Sequence, residues 1–154
     1  MLTSLQATMI DRYGMGLDVH AEARRIAGKL FDKVHGQALR SQLLRKFGYE
    51  PYPLRSLSHT PESATRTNRT VVVPLHKIVG TEGRSDDFDA QFRPLKKHLR
   101  ERWISVAAAR RTGAVLPAVE LVQDGDVYYV RDGHHRISVA RVLGQLEIDA
   151  RIVN

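Results

Sequence analysis

The sequence of 154 residues contains no cysteine. Disulfides, thiolate metal sites and cysteine nucleophiles are therefore excluded together. No apolar run approaches the roughly 20 residues that a membrane-spanning helix requires. The N-terminus also lacks the uninterrupted apolar segment and cleavage site of a signal peptide. We therefore expect a cytoplasmic protein with no membrane partner.

Three common catalytic signatures are missing as well. The chain has no glycine-rich phosphate loop ending in Lys-Ser or Lys-Thr, no protein-kinase catalytic loop and no His-Glu-x-x-His zinc helix. Of its seven histidines, only His134 and His135 are clustered. Adjacent residues on a helix do not share a face, so we expect no metal site.

The composition is that of a globular protein with one core, at 42% hydrophobic and 27% charged residues. The net charge is +7, and its distribution is uneven. Residues 1–48 carry eight Lys or Arg against four Asp or Glu, whereas residues 71–154 carry thirteen against eleven. Two interpretations stay open: basic N-terminal helices that bind DNA, or an ordinary solvated basic surface.

The N-terminal part has helical periodicity. Apolar spacing predicts a helix from Asp18 to Gly36 and a second one over 37–47, with a short helix over 3–10 before them. Because the turn signals do not specify a helix-turn-helix, we expect an ordinary helical hairpin. Residues 49–68 are rich in Pro, Ser and Thr and predict a linker, or a loop that wraps over the core. This gives a helical extension at 1–48, a linker at 49–68 and a domain at 69–154.

The domain at 69–154 alternates strand and helix signals. We predict an α+β fold, with a small mixed β-sheet, packed helices and the helical segment in front of it. The predicted elements are a strand at 69–73 stopped by Pro74, a polar loop at 80–89, a helix from Pro94, a hairpin at 118–130, a helix after Gly133 and a strand at 146–153.

The junction after the hairpin has the highest density of charged and titratable side chains. A strand ending at Val130 leads through Gly133 into a helix whose first turn contains His134, His135 and Arg136. Helix N-termini present free N–H groups and a positive dipole end, which suits a phosphate. The alternative is that Asp132 caps the helix and the following side chains are merely solvated.

This junction resembles the central motif of the ParB/sulfiredoxin-like superfamily. The similarity rests on Val130–Arg136, read as Val-Arg-Asp-Gly-His-His-Arg, with Ala-Arg at 140–141, and on Val71–Ile78, read as Val-Val-Val-Pro-Leu-His-Lys-Ile. The similarity covers 71–154, and the Asp-Gly-His-His-Arg motif is closest to the free serine kinase-like and uncharacterised branches. Sulfiredoxin chemistry needs a cysteine that this chain lacks. Partition proteins continue into a DNA-binding domain, and here the sequence ends at Asn154, so partitioning is not the expected function.

The residues and the resemblance together suggest a nucleotide ligand: ATP, ADP or CTP, with or without Mg²⁺. The residues expected to hold its phosphates are Gly133, His134, His135, Arg136, Ser138, Arg141 and Arg84. By resemblance to the free serine kinases, Glu82 is the candidate base, and Asp132 and His134 are the other candidate catalytic residues. The strand at 71–73 is expected to lie near 127–130, which would bring Glu82 and Asp132 together.

Three functions remain open at this point. The first is a nucleotide-binding protein with phosphotransferase or nucleotide hydrolase activity. The second is a DNA-binding ParB-like protein, either a nuclease or a regulator. The third is a non-catalytic module to which the nucleotide binds as a conformational ligand.

Overall fold

A computed structural model describes the backbone of residues 4–49, 53–59, 61 and 69–153, and the side chains of those residues from Asp18 onward. The helices and strands are α1 Ser4–Arg45, β1 Arg55–Ser56, β2 Val71–Pro74, β3 Ile78–Thr81, α2 Arg100–Arg111, β4 Val119–Asp124, β5 Val127–Asp132, α3 His134–Val142 and β6 Glu147–Ile152. Short 3₁₀ turns at Leu75–Lys77 and Lys97–Leu99 precede β3 and α2. The predicted α+β class is confirmed.

The six strands form one mixed sheet in the order β1-β3-β5-β4-β6-β2. β1 and β3, β3 and β5, and β4 and β6 are parallel pairs, whereas β4 with β5 and β2 with β6 are antiparallel. The hairpin of β4 and β5 turns at Gly125, which has a positive φ of 58°. The predicted hairpin, the helix after Gly133 and the last strand are therefore confirmed.

Two strands differ from the prediction. β2 ends with Pro74, which is opposite Glu147 of β6, rather than before it; a proline is tolerated there because β2 is an edge strand. The first two residues of the expected polar loop at 80–89 belong to β3, which lies between β1 and β5. Gly80 permits this pairing, since a Cβ there would clash with the carbonyl oxygen of Arg55. This glycine is therefore a strand residue and not the loop residue that the sequence predicts.

The N-terminal helices are one helix rather than a hairpin. α1 runs without interruption through Gly36, and a buried face continues across that glycine from Val34 to Ala38. An interior glycine costs only about 1 kcal/mol relative to alanine, and no proline lies between Ser4 and Arg45. The predicted breaks, and with them the hairpin, are therefore wrong.

Most of the buried apolar side chains form two clusters. The first, which we call the sheet core, consists of Leu54, Val73, Leu75, Ile78, Phe88, Phe92, Leu99, Val119, Leu121, Val130, Ile137, Ala140, Ala150 and Ile152. The second, the helix core, consists of Ala23, Ala27, Phe31, Val34, Trp103, Ile104, Ala107, Ala108 and Val139. α3 contributes to both clusters.

Residues from all three predicted segments, 1–48, 49–68 and 69–154, pack together in the described part of the chain. α1 supplies four residues of the helix core and so shares a core with α2 and α3. Leu54, from the expected linker, is buried in the sheet core, and β1 pairs with β3. This agrees with the wrapping alternative for that segment. Residues 50–52, 60 and 62–68 of the expected linker lie outside the described part of the chain.

Candidate functional site

The junction between β5 and α3 is built around Gly133. This residue has φ 103°, and a Cβ on it would lie 2.5 Å from Cγ1 of Val119, so only glycine fits. Gly133 is itself the N-cap of α3, and no side chain caps the helix. The first helical hydrogen bond runs from Ile137 N–H to Gly133 O. The N–H groups of residues 134–136 therefore have no helical acceptor.

A cleft of about 870 Å³ lies in front of this turn. Because β3 and β5 are parallel, the loop after β3 and the turn after β5 meet at the same edge of the sheet. Gly83 and Arg84 come from the loop, and Asp132 to Arg136 come from the turn and α3. The expectation that the strand at 71–73 would do this is corrected, since β2 pairs with β6 at the far edge.

The lining of the cleft combines basic and apolar residues. Its charged and imidazole-bearing residues are Arg84, Arg102, Arg131, Arg136, Asp87, Asp132, His98, His134 and His135. Its apolar residues are Leu99, Val106, Leu116 and Pro117. The four guanidinium groups outnumber the two lining carboxylates and Glu82, which pairs with Arg131, so the local field is positive and favours an anionic ligand.

Arg136 borders the cleft in a fixed orientation. Its Nη1 donates to the carbonyl oxygens of Pro117 at 2.6 Å and Ala118 at 2.8 Å, and its Nη2 donates to Oδ2 of Asp132 at 2.6 Å. A guanidinium has five N–H donors, so two remain for a ligand. Asp132 thus holds Arg136 and does not cap α3.

The two imidazoles of the first turn are supported by the buried ring of Phe88. That ring stacks with His134 at 5.9 Å and meets His135 edge-on at 5.6 Å. Burial, and after it the positive charge of Arg84, lower the pKa of both histidines to about 4. Both imidazoles are therefore neutral near pH 7, and they add polar groups to the cleft without adding charge.

Arg84 and Glu82 differ in how they relate to the cleft. Arg84 lines it, with Nη1 at 3.7 Å from Oδ2 of Asp87. Glu82 does not line it, and both of its oxygens accept hydrogen bonds from Arg131, at 2.7 and 2.9 Å. The hydrogen bond with Arg131 lowers the pKa of Glu82. A carboxylate held in this way is a weaker base than a free one.

Two residues expected at the phosphate lie instead on the buried side of α3. Ser138 is fully buried, and its Oγ accepts a hydrogen bond of 2.8 Å from Nε1 of Trp103. Nη2 of Arg141 donates to the carbonyl oxygens of Leu75 and Ile78, at 2.9 and 2.6 Å. Neither residue lines the cleft. At 3.6 residues per turn, positions 138 and 141 lie on the same face of α3 as His134, but about one and two turns further from the helix N-terminus and its free N–H groups.

Four further residues of the site were missed from the sequence. Thr81 binds His134, and Arg102, His98 and Arg131 line the cleft. His98 precedes α2 and Arg102 lies in its first turn. The apolar spacing of that helix identifies its buried face but does not indicate what its polar face contacts. Arg131 lies within the motif, but nothing in the sequence distinguishes it from an ordinary exposed residue of a strand.

No group of three or more His, Asp or Glu side chains within the described residues is arranged to hold a metal ion. In the same part of the chain, no helix has the length and apolar character needed to cross a bilayer. No protein-family model matches the chain, and no curated protein or solved structure is significantly similar to it.

Proposed function

We propose that this protein binds a nucleotide through its phosphate groups at the N-terminus of α3. The observation that carries the proposal is the uncapped first turn of α3, which opens into a cleft lined by four arginines. Free helical N–H groups and guanidinium groups are both well suited to bind phosphate oxygens. The volume of about 870 Å³ lies in the range usual for small-molecule sites.

The mixed lining favours a nucleotide over inorganic phosphate alone. Beside the basic groups, Val106, Leu116 and Pro117 contribute an apolar part of the wall. Such a wall suits a base or sugar, while Arg84 and Arg136 suit the phosphates. The relation to the ParB/sulfiredoxin-like superfamily belongs to the same proposal. Its support is that the Asp-Gly-His-His-Arg segment lies at this strand–glycine–helix junction.

The direct test is a thermal-shift panel of ATP, ADP, CTP and GTP, each with and without Mg²⁺. A ligand that binds only the folded protein must raise its apparent stability. We expect at least one nucleotide to raise the melting temperature in a concentration-dependent manner. No shift with any of them at millimolar concentration would overturn the proposal.

A matched pair of arginines on α2 locates the binding site. Arg102 lines the cleft, whereas Arg111, at the other end of the helix, lines a cavity that shares no residue with the cleft. Arg102→Ala should weaken nucleotide binding by about 1.5–3 kcal/mol, the range for a hydrogen bond to a charged group, and Arg111→Ala should leave it unchanged. Equal effects of the two variants would place the nucleotide elsewhere.

Binding without turnover is the version that this conformation supports best. Both candidate carboxylates are paired with arginines, Glu82 with Arg131 and Asp132 with Arg136. If the protein is a phosphotransferase or hydrolase, Glu82→Gln and Asp132→Asn should each lower turnover by about 10²–10⁴-fold, the scale of general acid–base roles. If it is a binding module, no nucleotide turnover will be measurable and both variants will still bind.

The DNA alternative predicts a different set of results. Part of the basic charge of α1 is already paired, Arg24 with Glu101 and Arg25 with Glu22. Backbone binding to DNA would fall steeply with salt and would not respond to nucleotide. That pattern, measured by fluorescence anisotropy with a duplex, would favour a DNA-binding protein.

A further inference from the structure

The buried hydroxyl of Thr81 determines what His134 can offer to a ligand. Thr81 is the last residue of β3, is fully buried and lies opposite Val130 in β5. Its Oγ1 is 2.6 Å from Nε2 of His134. It also accepts hydrogen bonds from two backbone N–H groups, those of Gly83 at 3.2 Å and Arg84 at 3.1 Å.

Counting donors and acceptors assigns the protons. A hydroxyl has two acceptor positions and one proton. The N–H groups of Gly83 and Arg84 occupy both acceptor positions, so a protonated Nε2 on His134 would be a third donor with no place on the oxygen. The hydroxyl proton must therefore point at Nε2, which accepts it.

The other acceptor near this hydroxyl is a poorer one. The carbonyl oxygen of Val130 is 3.4 Å from Oγ1, longer than the usual 2.5–3.0 Å for a hydroxyl donor. That carbonyl already accepts the N–H of Glu82 at 3.0 Å. It therefore does not need the hydroxyl proton, and the 2.6 Å contact to Nε2 is the favoured hydrogen bond.

We propose that Thr81 is a positioning residue that holds His134 as the neutral Nδ1–H tautomer, so that this imidazole donates a hydrogen bond to an unprotonated phosphate oxygen. The ligand half of this inference rests on the proposed function. Nδ1 of His134 has no hydrogen-bond partner in the described part of the chain, and the residue borders the cleft. The group left for a ligand is thus a donor, which matches a phosphate oxygen and disfavours an N–H or O–H.

Two features of the surroundings strengthen this assignment. Full protonation of His134 would add a proton to Nε2, where it would oppose the two backbone donors on Thr81. Burial and the charge of Arg84 also disfavour the charged form and lower the pKa of His134 to about 4. His134 therefore stays a neutral donor over the ordinary pH range.

The tautomer can be measured in the free protein. Long-range ¹H–¹⁵N NMR spectra distinguish a protonated Nδ1 from a protonated Nε2, and we expect Nδ1–H for His134. Thr81→Ser keeps the hydroxyl and should preserve this signature. Thr81→Val removes it and should yield a mixture of tautomers. An Nε2–H signature in the wild-type protein would overturn the inference.

The ligand half is tested by two amides that imitate the two ring nitrogens. The amide nitrogen of Asn lies near the position of Nδ1, and that of Gln lies near Nε2. With ATP and inorganic phosphate as probes, His134→Asn should bind within about threefold of wild type, and His134→Gln should lose about tenfold, the factor for one hydrogen bond. Equal losses would overturn the donor role of Nδ1.

The two proposals fail in different ways. An Nδ1–H signature with no binding of either probe would overturn the phosphate ligand and the proposed function, and leave the role of Thr81 toward the imidazole standing. Binding with an Nε2–H signature would overturn the role of Thr81 and leave the proposed function standing.

Discussion

The sheet core and the helix core are built in different ways. The sheet core is made mostly of Val, Ile, Leu and Phe from short strands, loops and α3, with only two alanines. The helix core contains four alanines and two large rings, those of Phe31 and Trp103, whose centroids are 5.8 Å apart. Small residues let α1 approach α2 closely, and the rings fill the space that remains.

α3 joins the two cores, which couples the candidate site to both. Ile137 and Ala140 face the sheet core, whereas Val139 faces the helix core. The hydrogen bond from Trp103 to Ser138 ties α3 to α2 as well. The first turn of α3 is therefore held from both sides, and damage to the two cores should have distinguishable consequences.

Removing α1 is expected to have the largest effect. A chain that starts near Asn68 also lacks β1 and leaves Trp103 and Ile104 without their partners on α1. Burying the apolar residues of α1 contributes at least about 5 kcal/mol, which is comparable to the whole stability of a small domain. We expect loss of the cooperative urea transition followed by circular dichroism.

A shorter truncation is the control for this experiment. A chain that starts at Asp18 keeps all of the α1 residues described as buried, and it should unfold cooperatively. A cooperative, nucleotide-binding protein starting near Asn68 would show that the helix core is dispensable and that 69–154 is a separate domain.

One phenylalanine in each core sharpens the comparison. Phe31 and Phe88 are both fully buried, so Phe31→Ala and Phe88→Ala should each cost about 3–5 kcal/mol of unfolding free energy. Phe88 supports His134 and His135, and Phe31 touches neither. Of the milder variants Phe31→Leu and Phe88→Leu, only the second should weaken nucleotide binding in calorimetry. Equal weakening would show that the cleft responds to stability alone.

Two glycines separate backbone strain from close packing. Gly125 and Gly133 both have positive φ, but only at Gly133 would an added methyl group have neighbours within 4 Å, chiefly Val119. We expect Gly125→Ala to cost about 1 kcal/mol and Gly133→Ala about 2–4 kcal/mol, the excess being steric. Chemical denaturation measures both. Similar losses of unfolding free energy in the two variants would mean that Val119 can move to accommodate the added methyl group.

Acidification is expected to have a smaller effect than the loss of either phenylalanine. An unfolded histidine titrates near pH 6.5, whereas the pKa values of His134 and His135 in the folded protein are about 4. As the pH falls from 6.5 toward 4, the unfolded state takes up protons that the folded state does not, so stability falls. Since His135 is only partly buried, we discount its share and expect a loss of about 1–3 kcal/mol between pH 6.5 and 5.

A variant identifies the source of that pH dependence. His134→Asn removes one of the two imidazoles, so its stability should depend less steeply on pH over the same interval. Glu82, whose pKa is lowered by Arg131, loses its contribution below pH 4.5 and does not affect this interval. A variant with the wild-type slope in urea unfolding would exclude His134 as a source.

Much of the sheet could be predicted because its signals are local. The turn at Asp124-Gly125, the alternation around it and the glycine before α3 each specify their own neighbourhood. The prediction of breaks in α1 was wrong because tertiary packing, and not the local sequence, decides whether the helix continues. A glycine such as Gly36 is compatible with a helix end but does not require one. Here the helix continues, because its buried apolar face extends to Ala38.

The sequence by itself determined the strand–glycine–helix junction and the basic, titratable first turn of α3, because those depend on neighbouring residues and on helix geometry. Only the tertiary structure decided which side chains meet there. The parallel pairing of β3 with β5 brought Thr81 to His134, and the docking of α2 brought Arg102 to the cleft. It also turned Ser138 and Arg141 inward, because α3 must bury one face against two cores. Contacts between residues some 50 positions apart leave no local pattern, and packing alone establishes them.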